Sequence, residues 1–150
     1  MPKGAGQDMA ETLKLEIVTP DGKAYSDDVE MVTLTGAAGE IGILPQHAWL
    51  MTQMVPGELV IRKDGRESFM AVGGGLVEVT GRRVSILTDM AVAAESIDAA
   101  KAEEARRRAE ARLKDQLADG EVASVNAAMA RALAQLRVKR RQRGSRGSPS

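Results

Sequence analysis

From Thr12 to Asp89, apolar and polar residues alternate with a period of two, the mark of a half-buried strand. Leu13, Leu15 and Ile17 flank Lys14 and Glu16, and Val32 and Leu34 flank Thr33. Turn residues interrupt the alternation at Pro20-Asp21-Gly22, between Gly36 and Gly42, at Pro45, Pro56-Gly57, Asp64-Gly65, Gly73-Gly74-Gly75 and Gly81. Asp64-Gly65 accepts the positive φ values of a tight turn, so the apolar runs on either side, Leu59-Val60-Ile61 and Phe69-Met70-Ala71-Val72, are predicted to pair antiparallel. Thr80-Gly81-Arg82-Arg83 predicts a second hairpin, between Val77/Val79 and Val84/Ile86. The triple glycine at 73–75, lying between strands, predicts bulges or a close backbone approach. Many short strands over 12–90 predict an antiparallel β-sandwich or barrel.

After Asp89 the period becomes helical, and within 90–143 the only glycine is Gly120, with no proline. Ser96 is the expected N-cap of a first helix, Asp98 lies in its first turn, and Gly120 is expected to close it as a left-handed C-cap. Glu103 with Arg107, Glu104 with Arg108 and Glu110 with Lys114 stand at i,i+4 in the favourable order. A second helix carries Val122, Val125, Met129, Ala132, Leu133 and Leu136 on one expected face. The two form an antiparallel helical hairpin over 91–140, with its turn expected at Asp119-Gly120. Between Ile97 and Val138, alanine occurs 13 times and Ile, Leu, Val and Met together 9 times, so helicity is high but the apolar seam is thin. Such a hairpin can stay helical while docking weakly. The fold class is β then α, with a flexible N-terminus over 1–11 and a disordered basic tail over 141–150.

Charge sharpens this division. The 150 residues balance 21 basic against 21 acidic groups. Residues 1–95 carry 8 Lys/Arg against 14 Asp/Glu, whereas 96–150 carry 13 against 7, so an acidic β half precedes a basic helical half. The absence of cysteine excludes disulfide scaffolds, zinc ribbons, iron–sulfur clusters and thiol nucleophiles. Apolar stretches such as Ala71 to Val77 are far short of the roughly 20 residues that cross a bilayer, and Asp8 and Glu11 are unlike a transit peptide. The expected location is therefore the compartment of synthesis, with any membrane attachment made through partners.

Candidate chemistry is sparse. Gly36, Gly39 and Gly42 invite a phosphate-loop reading, but Pro45 follows where a helix should begin, and no Lys-Ser/Thr completes the motif. His47 has no cysteine partner and no nucleophile-elbow serine, which leaves it a packing or interface residue. Trp49 suits either a core position or an exposed anchor for another protein. The six basic residues from Arg137 to Arg146 fit a solvated helix end, an acidic protein partner or nucleic acid. All three aromatics, Tyr25, Trp49 and Phe69, lie in the β half, so a small nucleic-acid-binding module, the alternative reading, has no stacking platform beside its basic tail.

The run Gly39-Glu40-Ile41-Gly42-Ile43-Leu44-Pro45-Gln46-His47-Ala48 resembles the signature of the epsilon subunit of the bacterial-type rotary ATP synthase. Gly74-Gly75-Leu76-Val77-Glu78-Val79, the segment Val84 to Asp89 and Ala132-Leu133-Ala134-Gln135-Leu136-Arg137-Val138 extend the resemblance over 12–140. It implies a ten-stranded sandwich seated on the gamma subunit and the membrane c ring, followed by two helices that can rise to block ATP hydrolysis. A non-catalytic rotor subunit follows, with no metal and no catalytic residue, peripheral on the cytoplasmic face of the bacterial inner membrane. The resemblance places Glu40 against the c ring and Thr19, His47, Thr52, Glu78 and Ser85 against gamma. Arg131, Arg137, Lys139, Arg140, Arg141 and Arg143 would meet acidic segments of the alpha/beta catalytic head. Trp49 departs from the proline common at its place. The ATP motif of some members reads here as Ile97-Asp98-Ala99-Ala100-Lys101-Ala102; with Lys101 in place of arginine and Gln135 in place of a second arginine beside Arg131, the resemblance implies at most weak regulatory ATP binding.

Overall fold

The computed structural model describes residues 11–147; the remaining residues, which include most of the expected flexible N-terminus and the end of the tail, lie outside it. Ten strands come first: β1 (Leu13–Thr19), β2 (Gly22–Val29), β3 (Met31–Gly36), β4 (Gly39–Ile43), β5 (Leu50–Met54), β6 (Gly57–Lys63), β7 (Arg66–Val72), β8 (Gly75–Thr80), β9 (Arg83–Thr88) and β10 (Ala91–Ala93). A 3₁₀ turn, Ala94–Ser96, leads into α1 (Ala99–Arg112) and α2 (Asp119–Gly147).

The strands run in the order β10-β7-β6-β3-β5-β8-β9-β1-β2, with β4 on β3. Only Gly36 and Met54 pair β3 with β5, so the sheet folds over at that point into two layers. An ion pair between Lys63 on β6 and Asp27 on the edge strand β2 ties the two layers together. Both hairpins form as the turn residues require, with Asp64 and Gly65 at φ 54° and 75° and Gly81 at φ 55°. One pair departs from the antiparallel expectation: β1 lies parallel to β9, from Lys14 opposite Arg83 to Val18 opposite Leu87. The inward-facing sets, among them Leu13, Leu15 and Ile17 of β1 and Val84 and Ile86 of β9, are fully buried in a single core. The glycines of the triple run make the close approaches expected of them. A Cβ on Gly75 would lie 1.9 Å from the carbonyl oxygen of Leu87, and one on Gly73 would lie 1.8 Å from a carboxylate oxygen of Asp89.

Four expectations fail after residue 90. Ala91–Ala93 pairs with β7 as a tenth strand, so the sheet extends beyond the expected boundary; Ala91 packs against the main core and Val92 against a second cluster beneath the helices. The cap of α1 is Asp98 and not Ser96, because the Asp98 carboxylate accepts the amide of Lys101 at 3.1 Å. The interhelical turn lies at 113–118 and not at Asp119-Gly120. Glu121 reaches back to accept the amide of Ala118 at 3.1 Å, a capping contact that starts α2 and leaves Gly120 inside its first turn. The helix then continues through 141–147, where a disordered tail was expected.

The hairpin packs on the outer face of β6, β7 and β10. Ala134 and Val138 of α2 meet Ala71, Ala94 and Ile97 in a second, smaller buried cluster flanked by Phe69, Met90 and Val92. Leu133, expected in the seam, is exposed instead. Of the docked residues only Ile97 and Val138 are large and fully packed, and burial of each is worth about 2 kcal/mol. The seam is thinner than its sequence pattern indicates.

Candidate functional site

Among the described residues nothing covers the outer face of the other layer. Alternation puts Met51 on β5, Leu76 and Glu78 on β8, and Ser85 and Leu87 on β9 on that side, in register: Met51 opposite Glu78, Glu78 opposite Ser85, Leu76 opposite Leu87. Met51 is 62% exposed and Leu87 54%, an apolar strip that continues toward Trp49, 78% exposed. Trp49 is thus outside the core. Val18, Thr19, Pro20 and Leu87 line a shallow groove of about 410 Å³ at one end of the strip, where the Thr19 hydroxyl accepts the Asp21 amide at 3.2 Å and closes the β1–β2 turn.

Glu78, Ser85 and Thr19 therefore belong to one continuous surface. Thr52 does not share it: it alternates with Met51 and sits with Leu50 and Met54 on the inner side of β5, half-buried. His47 lies in the loop before β5, its Nδ1 2.6 Å from the carbonyl oxygen of Ala48. Gln46 beside it takes φ 68° and donates to Glu11 at 2.9 Å, holding this loop against the start of β1. Glu40, opposite Thr35 next to the β3–β4 turn, is exposed.

A second concavity, about 480 Å³, opens between the hairpin and β10. Asp98, Lys101 and Arg131 all line it, with Gln135, Met90 and several alanines. Ile97 is instead buried in the apolar cluster. Asp98 is engaged as the helix cap, Arg131 reaches Asp89 at 3.4 Å, and Gln135 donates to the Met90 sulfur at 3.2 Å.

The basic residues of α2 divide into two sets. Arg137, Arg140 and Arg143 are exposed. Lys139 donates to the carbonyl oxygen of Ala94 at 3.2 Å, and Arg141 to Glu58 on β6 at 2.7 Å while stacking 5.1 Å over the Phe69 ring. Glu58 lies in a polar cavity of about 310 Å³ with Glu40, Glu67, Thr33, Thr35 and Arg137. Its side chain is 14% exposed, and its second oxygen has no partner among the described residues. Burial pushes this carboxyl above its ordinary 4.5, with Glu40 adding to the rise and Arg141 and Arg137 opposing it.

Folding therefore raises the proton affinity of Glu58, while the two arginines of α2 hold the carboxylate form. The contribution of this shift to folding stability is complete below 4.5 and is lost as pH rises through the folded value. A carboxyl-carbon NMR titration of the full chain is expected to place the Glu58 midpoint above 4.5. A midpoint at or below 4.5 would show that the attraction of Arg141 and Arg137 outweighs burial.

Two family descriptions match in sequence order: the ATP synthase Delta/Epsilon chain beta-sandwich domain over 12–94 and its long alpha-helix domain over 95–140. The chain belongs to the ATP synthase delta/epsilon family. It is 44% identical over 128 residues to the ATP synthase epsilon chain of Halorhodospira halophila, covering 84% of this chain and 91% of that one. It is 42% identical over 130 residues to the epsilon chain of Bacillus licheniformis, covering 87% and 99%. Among solved structures it resembles a chain of the Euglena gracilis mitochondrial ATP synthase, OSCP/F1/c-ring, at a TM-score of 0.67 and 21% identity, over 87% of this chain and 91% of that chain. A chain of the Tetrahymena thermophila mitochondrial ATP synthase central stalk/c-ring matches at a TM-score of 0.54 and 14% identity, over 88% and 96%.

Within this family member, sequence reasoning missed the apolar strip and the acids beneath α2. The strip had a signal: Ile86-Leu87 and Leu76-Val77 are adjacent apolar pairs in strands that otherwise alternate, so one of each pair must face outward. Glu58, Asp89 and Glu95 had none, because their partners lie 42 to 83 residues away. Among the described residues no helix is long and apolar enough to cross a membrane.

Proposed function

We infer that this chain is a non-catalytic central-stalk subunit of the proton-translocating ATP synthase, coupling rotation of the c ring to the catalytic head. The carrying observation is the uncovered apolar strip through Trp49, Met51, Leu76 and Leu87 on a sandwich whose own core is complete without it. The gamma subunit is the proposed occupant of this face, with Thr19, Glu78 and Ser85 on it and His47 at its margin; Thr52, on the inner side of β5, supports the strand from beneath and does not touch gamma. Glu40 is the proposed c-ring contact. The C-terminal helices inhibit ATP hydrolysis when they leave the sandwich and bring their basic residues to acidic surfaces of the alpha/beta head. The subunit is peripheral, at the cytoplasmic face of a bacterial membrane. Co-purification of gamma and the c ring with the tagged chain tests the reading, and recovery of the chain without either partner would refute it.

Regulatory ATP binding in the cleft between hairpin and sandwich is proposed to be weak. Asp98, Lys101 and Arg131 converge there, but Lys101 offers a point charge and no planar fork, and Ile97 is buried away from the cleft. Lys101→Arg is expected to tighten ATP binding about tenfold, which is about 1.4 kcal/mol, by titration calorimetry. Equal heats for both proteins would remove the cleft as the site.

A further inference from the structure

We propose that Glu58 and Asp89 of the sandwich form a two-point latch on Arg141 and Arg131 of α2, and that this latch governs how readily the hairpin undocks. The two arginines are ten residues apart, about 15 Å along a helix, so they hold α2 near both ends of its docked length. Between them the apolar contact is made by Ala134 and Val138, which leaves the charged groups to decide the equilibrium.

The Glu58 end is the stronger. The Arg141 guanidinium is held on two sides, by the carboxylate at 2.7 Å and by the Phe69 ring at 5.1 Å. The partnerless Glu58 oxygen stays buried while the other accepts from Arg141, so removing Arg141 strands a covered carboxylate with neither oxygen paired. The Asp89 end is more exposed and sets the register of the helix. Its position depends on Gly73, whose missing Cβ leaves the space that the Asp89 carboxylate occupies. Lys139 on the Ala94 carbonyl and Gln142 on Glu95, the latter pair 3.3 Å apart, seat the Arg141 end of the same face against the 3₁₀ turn.

The latch is a property of the isolated chain and holds whether or not the raised hairpin inhibits anything. It assigns opposite consequences to residues of one charge on one helix. Arg131 and Arg141 restrain undocking, while Arg137, Arg140 and Arg143 remain exposed in the docked form.

The chain has no cysteine, so the full-length protein with Ser68→Cys and Gln116→Cys carries spin labels only at two exposed positions, one on β7 and one in the interhelical turn. The unmodified latch is expected to give one dominant label distance. Arg141→Glu is expected to raise the undocked, longer-distance population about tenfold or more, with helix content by circular dichroism unchanged. Gly73→Ala, which touches no helix residue, is expected to raise it by a smaller factor. The exchange Glu58→Arg with Arg141→Glu is expected to restore the single distance, which a loss of packing alone cannot do. An unchanged distribution in Arg141→Glu, or an exchange variant no better docked than Arg141→Glu, would overturn the latch and leave the apolar seam as what holds the hairpin.

Discussion

Deleting residues 96–150 is expected to raise ATP hydrolysis by the reconstituted synthase at least fivefold, without loss of the subunit from the complex. A coupling of about 1 kcal/mol or more between hairpin position and the catalytic head corresponds to that change. The deletion is tolerable because every side chain of the main core comes from residues 13–86, apart from the partly buried Ala91 at its edge, and the hairpin contributes only the smaller cluster on the outer face of β6, β7 and β10. The docked and raised forms are two states of one element, each held by charge, so the mutations divide by which state uses the residue. Arg140 and Arg143, exposed when docked and not lining the Glu58 cavity, are free for an acidic partner, and their joint replacement by Glu is expected to mimic the deletion. Arg141→Glu alone is expected to shift the chain toward the raised form and deepen inhibition, because it releases Glu58 while leaving Arg140 and Arg143 in place. Steady-state hydrolysis with the subunit demonstrably bound checks all three. Equal rates throughout would mean that the hairpin in this chain is structural.

Replacing Met51 and Leu87 together by Asp is expected to weaken binding to the gamma subunit a hundredfold or more while leaving the sandwich folded. Both side chains point outward, so no core contact is lost, and each removes roughly 2 kcal/mol of apolar burial and adds a charge to be desolvated. The proton NMR spectrum of the variant should keep the dispersion of the parent, and interferometry with immobilised gamma gives the affinity. Unchanged affinity would move the gamma contact off this face. The nearby Thr52→Ala, on the inner side of β5, is expected to act through stability and not through contact, with a lowered melting temperature and near-normal binding per folded molecule.

The elements of this protein were largely legible as a linear pattern, because strand alternation, turn chemistry and helix period are local properties. Asp64-Gly65 and Gly81 specify hairpins through the backbone angles they alone accept cheaply, and the tight space around Gly73 and Gly75 follows from a triple glycine between strands. Local rules failed where two local signals competed. Gly120 reads as a C-cap until Glu121 is seen to cap Ala118 from within the next turn, and Ala91–Ala93 reads as the start of a helix until β7 provides an edge to pair with. The length of α2 was also missed, since a Gly/Ser-rich, basic end has low apolar content, and the stabilising contacts of Arg141 and Gln142 are with residues far away in the chain.

By itself the sequence determined that an acidic β half would precede a basic helical half, which strand runs would form hairpins, and that the helices would dock through a thin alanine seam. It also carried the family signature around Glu40 and His47. Only the tertiary structure decided which face of the sandwich stays bare, that Trp49 stands outside the core, that β1 runs parallel to β9, and which arginines of α2 are engaged and which are exposed. The reason is range. A turn or a cap is settled by atoms within a few residues, whereas the partner of an exposed charge is chosen by which distant strand the folded chain brings within 3 Å, and no period or composition encodes that choice.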